Sequence, residues 1–318
     1  MPAPTVLTLT ANLLAETTFV LPAAPALGRT QRAAASSFQA GGKGLNVAKM
    51  LARLGTPALA LAAAGGPSGD TCRAWAAVQA WPIELLPTGT PTRTGLVVRG
   101  PEPAAPAETT FLGPDVPLCA DAFAALAARV ESAPTATVVA LCGSVPGWAS
   151  PAAAPLRAAL ADRARSGRLV VDTYGPPLAD LAALPAELIK INADEFAALA
   201  GAGAVADRHA ALEAFAARHP DRAWIVSDGP HAVHLARAGH PVFTLTPPPV
   251  REISATGSGD VLLAALVHGR LALGRDWPEA LAYALPFAAA NAAHPGVAEF
   301  DLPATELAPG LETPTLSP

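Results

Sequence analysis

Lysine is scarce in this sequence: Lys43, Lys49 and Lys190 are the whole complement, and every other basic side chain is an arginine. A lysine in such a background either marks a place that wants a compact ammonium or is a chance survivor, and Lys49, on a helix face, fits chance. Cysteine is equally sparse. Cys72, Cys119 and Cys142 are odd in number, far apart and form no CxxC pair, which argues against a zinc or dithiol site and for small buried hydrophobes. Charged residues make up 15% of the chain and hydrophobic ones 51%, yet no uninterrupted apolar run approaches the roughly 18 residues that span a bilayer. The segment from Met1 to Leu14 has neither a basic stretch nor a small-residue cleavage site after an apolar core, so no secretory signal is expected and the expected compartment is the cytoplasm. A net charge of −5, without clustered Lys and Arg, excludes the electrostatic footprint of a nucleic-acid binder.

What is present alternates. Short runs rich in Val, Ile and Leu, at Thr5–Thr10, Ala58–Ala63, Thr137–Cys142, Leu169–Asp172, Leu188–Ile191 and Trp224–Ser227, read as strands. Between them, helical spacing covers Gly44–Leu54, Asp121–Glu131, Pro151–Arg165, Ala193–Leu199 and Arg208–His219. Strands alternating with helices predict an α/β fold with a mostly parallel sheet covered on both faces. Residues 17–38 and 91–112 break the helical period with Thr, Arg, Pro and small residues. They are expected to pair into a small β-lid, with its lead-in from about residue 11. A chain of 318 residues fits one large domain, here 1–303, with residues 304–318 expected to be a loosely held tail.

Three segments carry candidate chemistry. Ala40 to Gly55 is a glycine cluster running into an amphipathic helix that stops at Gly55. Glycines before a helix let backbone N–H groups of the first turn approach an anion, and Lys43 adds a point charge. The spacing is not a Walker A loop, because Lys43 is followed by Gly rather than Ser or Thr, and a flexible lead-in loop to an ordinary helix has the same composition. Ile253 to Asp260 repeats the device: Gly257, Ser258 and Gly259 open an apolar helix, and Asp260 sits in its first turn. That carboxylate is either a helix-start residue contributing under ~1 kcal/mol, or a base taking a proton from an attacking hydroxyl while the N–H groups neutralise a phosphoryl group. Lys190 to Glu195 joins a buried strand to a helix. Asn192 and Glu195 fall where ligands of open α/β sheets bind and could hold Mg²⁺ or its waters, although an acidic helix start looks the same. His231 and His234 point to opposite faces of a strand and do not form a metal pair.

In this order the motifs resemble the PfkB (ribokinase-like) carbohydrate kinase family, over about residues 5–298. GGKGLNVAKMLARLG is similar to the family's N-terminal signature, in the lysine form of the branch with 1-phosphofructokinase and tagatose-6-phosphate kinase. The GSGD stretch is similar to the C-terminal GAGD signature. The resemblance implies a doubly wound α/β domain with a β-sheet lid and an ATP- and Mg²⁺-dependent phosphorylation of a sugar phosphate such as fructose 1-phosphate. In that reading Asp260 is the base, Gly257, Ser258 and Gly259 form the anion hole, and Asn192 with Glu195 belongs to the Asn-x-x-Glu motif that orients metal and phosphates. The sugar site draws on Asn12, Glu16, Gly41, Gly42 and Asn46, while Lys43 and Arg93 grip the phosphate already on the acceptor. Ser227 and Gly229 lie on the nucleotide side, and Asn291 on a late helix near the adenine.

The sequence also departs from the family pattern. Glu16 stands where Asp is usual, and one methylene in a sugar clamp changes which sugar fits. Ala255 removes a hydroxyl upstream of the anion hole, and Asp228 puts a negative charge near the triphosphate. Ile191 replaces a proline and Val261 a small polar residue, both structurally tolerable. These changes keep open a sugar-phosphate-binding protein with weak or lost kinase activity, or a kinase for a free sugar or nucleoside. The small sheet, finding a partner for its apolar face, implies a homodimer.

Overall fold

A computed structural model describes residues 5–101, 108–201, 207–220 and 222–304. The chain begins with β1 (Val6–Thr10), leaves the main sheet for β2 (Leu14–Val20) and β3 (Ala35–Gly41), and returns through helix α1 (Lys43–Arg53) to β4 (Ala58–Ala64), α2 (Gly66–Ala76) and β5 (Ile83–Pro87). A second excursion makes β6 (Arg93–Arg99) and β7 (Glu108–Leu112). Then come α3 (Ala120–Ser132), β8 (Val138–Cys142), α4 (Ala154–Arg165, preceded by a 3₁₀ turn at Pro151–Ala153), β9 (Leu169–Asp172), α5 (Pro176–Ala182), β10 (Leu188–Asn192) and α6 (Ala193–Ala200). The remainder is α7 (Arg208–Arg218), β11 (Ala223–Asp228), β12 (Ala232–Ala236), β13 (Phe243–Leu245), α8 (Ser258–Leu271) and α9 (Trp277–Ala292).

The strands β5-β4-β1-β8-β9-β10-β11 are parallel neighbours, and β12 and β13 extend that sheet antiparallel at one edge. Central strands such as Val6–Thr10 and Val138–Cys142 are buried at every position, as strands covered on both faces must be. Alternate side chains feed two cores. Val6, Ala58, Ala60 and Ala62 face α1, α8 and α9, while Leu7, Leu9, Leu61 and Leu141 face α3, α4, α5, α6 and α7. Phe123 of α3 is fully enclosed in the second core, a burial that stabilises by roughly 1.5–3 kcal/mol. Helix α1 ends where the sequence indicates: Gly55, at φ 82°, takes the left-handed position after the cap, and Thr56 N–H returns to Leu51 O at 2.9 Å.

The excursions form a separate four-stranded sheet in the order β3-β2-β6-β7. The sequence expectation for the lid thus lands on real strands, except that β3 runs on to Gly41 and delivers the chain directly into α1. The expected tail lies almost wholly outside the described residues. In the large sheet the order of connection reverses beside β1: the chain first builds towards β5, then crosses back to β8 and builds the other way. Such a switch point opens a crevice at the carboxyl ends of the strands. Among the described residues no helix is long and apolar enough to cross a membrane.

Candidate active site

The carboxyl ends of β1, β8, β9 and β10 and the amino ends of α1 and α8 converge at this crevice. Helix α1 starts hard against β1. Gly42 adopts φ 150°, and a Cβ there would lie 2.6 Å from Thr10 Cγ2, so only glycine fits this turn. Thr10 itself is 2% exposed, and its hydroxyl has no hydrogen-bond partner among the described residues.

From the fourth residue of α1, Asn46 Nδ2 donates to Asp260 Oδ2 at 2.8 Å, joining the first motif to the second across the crevice. Asp260 is 5% exposed in the first turn of α8. Burial, with the charge of Asp172 adding to it and Lys43 opposing, pushes its carboxyl up to about 6. A carboxylate with that affinity is poised to accept a proton near neutral pH. The N–H groups of Gly259 and Asp260 begin the helix and have no carbonyl a turn back, so they are available to an anion. Ser258 N–H is used differently, by Ala255 O at 3.2 Å. Positive charge lies against this loop as well, since a Cβ on Gly259 would come within 2.6 Å of Lys190 Nζ.

Lys190, in the middle of β10, and Lys43, at the start of α1, share one buried carboxylate. Asp172, at the end of β9, accepts from Lys43 Nζ at 2.7 Å through Oδ1 and from Lys190 Nζ at 2.9 Å through Oδ2. Asp172 is wholly enclosed; burial would raise its pKa, but the two ammonium groups outweigh burial and hold it below the usual carboxylate range. For Lys43 burial works towards neutralisation, and Asp172, then Asp260 and Glu195 more than offset it, keeping the side chain a fixed cation. Lys43, expected with Arg93 at the acceptor's phosphate, lies near Asp172, Asp260 and Glu195, its stem turned over Gly143 at the end of β8.

Arg93, at the start of β6, belongs to a second group. Its Nη1 and the Nδ2 of Asn12 both donate to Asp115 Oδ1 at 2.8 Å, and Asn12 Nδ2 also donates to Ser144 Oγ at 2.8 Å. Glu16 lies on β2 opposite Gln39, whose Nε2 donates to it at 2.5 Å, and its other oxygen faces Gly41. On the far side of the crevice Asn192 caps α6. Its side chain accepts from Glu195 N–H and Glu195 Oε2 accepts from Asn192 N–H, each at 2.8 Å. Ser227 is the β11 register partner of Asn192, and Gly229 makes the turn into β12.

The pfkB family carbohydrate kinase model matches residues 15–305. The chain belongs to the pfkB family. It is 33% identical over 267 residues to a 1-phosphofructokinase of Rhodobacter capsulatus, covering 80% of each chain. It is 30% identical over 240 residues to ATP-dependent 6-phosphofructokinase isozyme 2 of Escherichia coli, covering 74% of this chain and 76% of that one. Among solved structures, phosphofructokinase-2 from E. coli in complex with substrates and products superposes with TM-score 0.79 at 25% identity, covering 90% of this chain and 92% of that one. A possible 1-phosphofructokinase from Thermotoga maritima gives 0.78 at 18% identity, covering 91% and 92%.

As a pfkB kinase the protein is an ATP-dependent carbohydrate kinase, and several features that the sequence left obscure gain a place. The extra charge of Asp228 is paired: Arg208 of α7 donates to its Oδ2 at 2.6 Å and holds its pKa down. Asn291, expected beside the adenine, is fully enclosed in α9. Its Nδ2 donates to Thr256 O at 2.9 Å and to Ser258 Oγ at 3.1 Å, and its Oδ1 accepts from Ala298 N–H at 2.9 Å, so it ties the GSGD loop to the segment after α9. The lid reaches that loop too, through Glu108 of β7, which accepts from Thr256 Oγ1 at 2.9 Å and is ion-paired with Arg99 at 2.8 Å. Asp172, Asp115, Ser144 and Glu108 were not singled out in the sequence. Lys190 was, by its rarity alone.

With Asp260 serving as the base, the acid limb of kcat/KM is expected near pH 6, activity being lost as pH falls and Asp260 gains its proton. Asp172→Asn removes a like charge and leaves two ammonium groups facing Asp260, so it is expected to move the limb to lower pH. A limb that stays put in the variant would belong to the acceptor rather than to Asp260.

Proposed function

We propose that the protein is a cytoplasmic MgATP-dependent kinase for a ketohexose monophosphate, fructose 1-phosphate first and fructose 6-phosphate second, acting by in-line attack of a sugar hydroxyl on the γ-phosphate. The observation that carries this reading is Asp260: a buried carboxylate of raised proton affinity, tied to Asn46, beside the free N–H groups of a helix start and two lysines. Asp260 takes the proton of the attacking hydroxyl. The N–H groups of Gly259 and Asp260, with Lys43 and Lys190, balance the negative charge of the group in transit.

The acceptor lies between the glycine turn and the lid, with Asn46, Gly41, Gly42 and Glu16 along its hydroxyls and Arg93 with Asn12 at its phosphate end. The relatives that are phosphofructokinases by name support a phosphorylated acceptor. Ser227, Gly229 and the Gly257–Gly259 loop border the nucleotide. The donor set suits Mg²⁺, which is ordinarily held by one or two carboxylates, waters and substrate phosphates: Glu195 and Asn192 bring one carboxylate and one amide together at the start of α6. Glu195 with Asn192 would hold it, and Mg²⁺ would supply charge neutralisation on the phosphates. ADP release from MgATP is expected on a ketohexose phosphate and to fall by about 10²–10⁴-fold in Asp260→Asn. Turnover only on free sugars or nucleosides, or binding without turnover by the folded protein, would contradict the reading.

The lid face bearing Phe19, Leu96, Val98 and Phe111 is an apolar row by cross-strand register, with Phe19 37% and Phe111 56% exposed. We propose that it is covered by the same face of a second copy. A dimeric mass at micromolar concentration that becomes monomeric in Phe111→Asp is the expected result, and a monomeric wild type would contradict it.

A further inference from the structure

We propose that Asp115 is a specificity residue of the acceptor site, an internal stand-in for the substrate's own phosphate that the incoming phosphate must displace. This rests on the reading of Asn12 and Arg93 as the phosphate end of that site. Two donors, Arg93 Nη1 and Asn12 Nδ2, converge on a single oxygen, Asp115 Oδ1, at 2.8 Å each. Two such donors meeting at one acidic oxygen is the arrangement a phosphate oxygen would take there.

The three partners are not equally fixed. Asn12 is 8% exposed just beyond β1 and is held a second time by Ser144, and the Arg93 side chain is 15% exposed on β6. The Asp115 side chain is 50% exposed and belongs to neither a helix nor a strand. Its segment is pinned on both sides, by Gly113 N–H to Thr94 O at 2.8 Å and by Thr90 Oγ1, which donates to Pro117 O at 3.3 Å and accepts from Cys119 N–H at 3.2 Å. Asp115 therefore sits at the apex between two anchors. Rotation of its side chain releases both donors without moving the backbone, while the donors keep their positions. Arg93 has capacity to spare as well, because its Nε is buried without a partner among the described residues.

A neutral acceptor lacks the charge to take Arg93 and Asn12 from a carboxylate, whereas a phosphate dianion carries more charge than the group it replaces. Asp115 thereby biases the site towards phosphorylated acceptors and against weakly held anions, at some cost in affinity for the correct one. An exposed ion pair is worth little, so the effect is modest.

The test compares wild type, Asp115→Ala and Asp115→Ala/Arg93→Ala, with the wild-type acceptor panel measured first. If the wild type uses no sugar phosphate, the functional reading fails before the variants are considered. If it does, Asp115→Ala is expected to lower KM for the sugar phosphate by about two- to fivefold with kcat within about twofold. KM for ATP should not change, and competitive inhibition by inorganic phosphate should tighten by the same factor. Both gains should vanish in the double variant. A KM for the sugar phosphate that rises or stays the same in Asp115→Ala, with phosphate inhibition unimproved, would overturn the proposal and make Asp115 a brace for Arg93.

Discussion

The site depends on one buried carboxylate, Asp172, that holds two ammonium groups. Taking charges out of water costs several kcal/mol per ion before pairing, and the fold offsets this by hydrogen-bonding both oxygens of Asp172 to different lysines. The arrangement has an electrical consequence. Lys43 and Lys190 face the carboxylates of Asp172 and Asp260, with Glu195 adding negative charge near Lys43. In the proposed mechanism Asp260 gains a proton as the sugar hydroxyl attacks, so less of the positive charge is offset while the phosphoryl group is in transit. Asp172 also adds to the burial that lifts the Asp260 pKa, so one side chain fixes the cations and helps to tune the base.

The fold brings these groups together because of where the chain reverses. The strands that end in Thr10, Cys142, Asp172 and Asn192 are parallel neighbours in one sheet, so their carboxyl ends share an edge. Helix α1 enters that edge from the lid through Gly41 and Gly42, and α8 enters it from the GSGD loop. The lid is linked to both sides of the site. Strand β7 places Glu108 on Thr256 beside the GSGD loop, and the segment after it places Asp115 on Arg93 and Asn12.

Much of this was legible in the sequence because glycine and periodicity report local backbone demands. The glycine cluster at 41–44 and the GSGD stretch mark helix starts that nothing bulkier can make, and the alternating strand and helix periods give the parallel sheet. Helix α9 was invisible to periodicity, because Trp277, Leu281, Ala284, Leu285 and Phe287 are buried around much of its surface and leave no polar stripe. Helix α2 opens with Gly-Pro-Ser-Gly, a composition that reads as a turn. Asp172 and Asp115 were missed for a different reason. An aspartate at a strand end or in a Gly-Pro loop is ordinary turn chemistry, and only the three-dimensional meeting with Lys43, Lys190, Arg93 and Asn12 distinguishes it. The carboxylates that Lys43 and Arg93 meet were out of reach likewise, since sequence shows that a cation is present and not which way its stem turns.

The central claim is that Asp260 is a buried base whose proton affinity is lifted by its surroundings. The most direct test is a carbon-13 NMR titration of the side-chain carboxyls in aspartate-labelled protein, with Asp260→Asn to assign the signal. A carboxyl titrating at about 6 that disappears in the variant is the predicted result. An Asp260 signal titrating at about 4, the range of an ordinary solvated aspartate, would contradict the account.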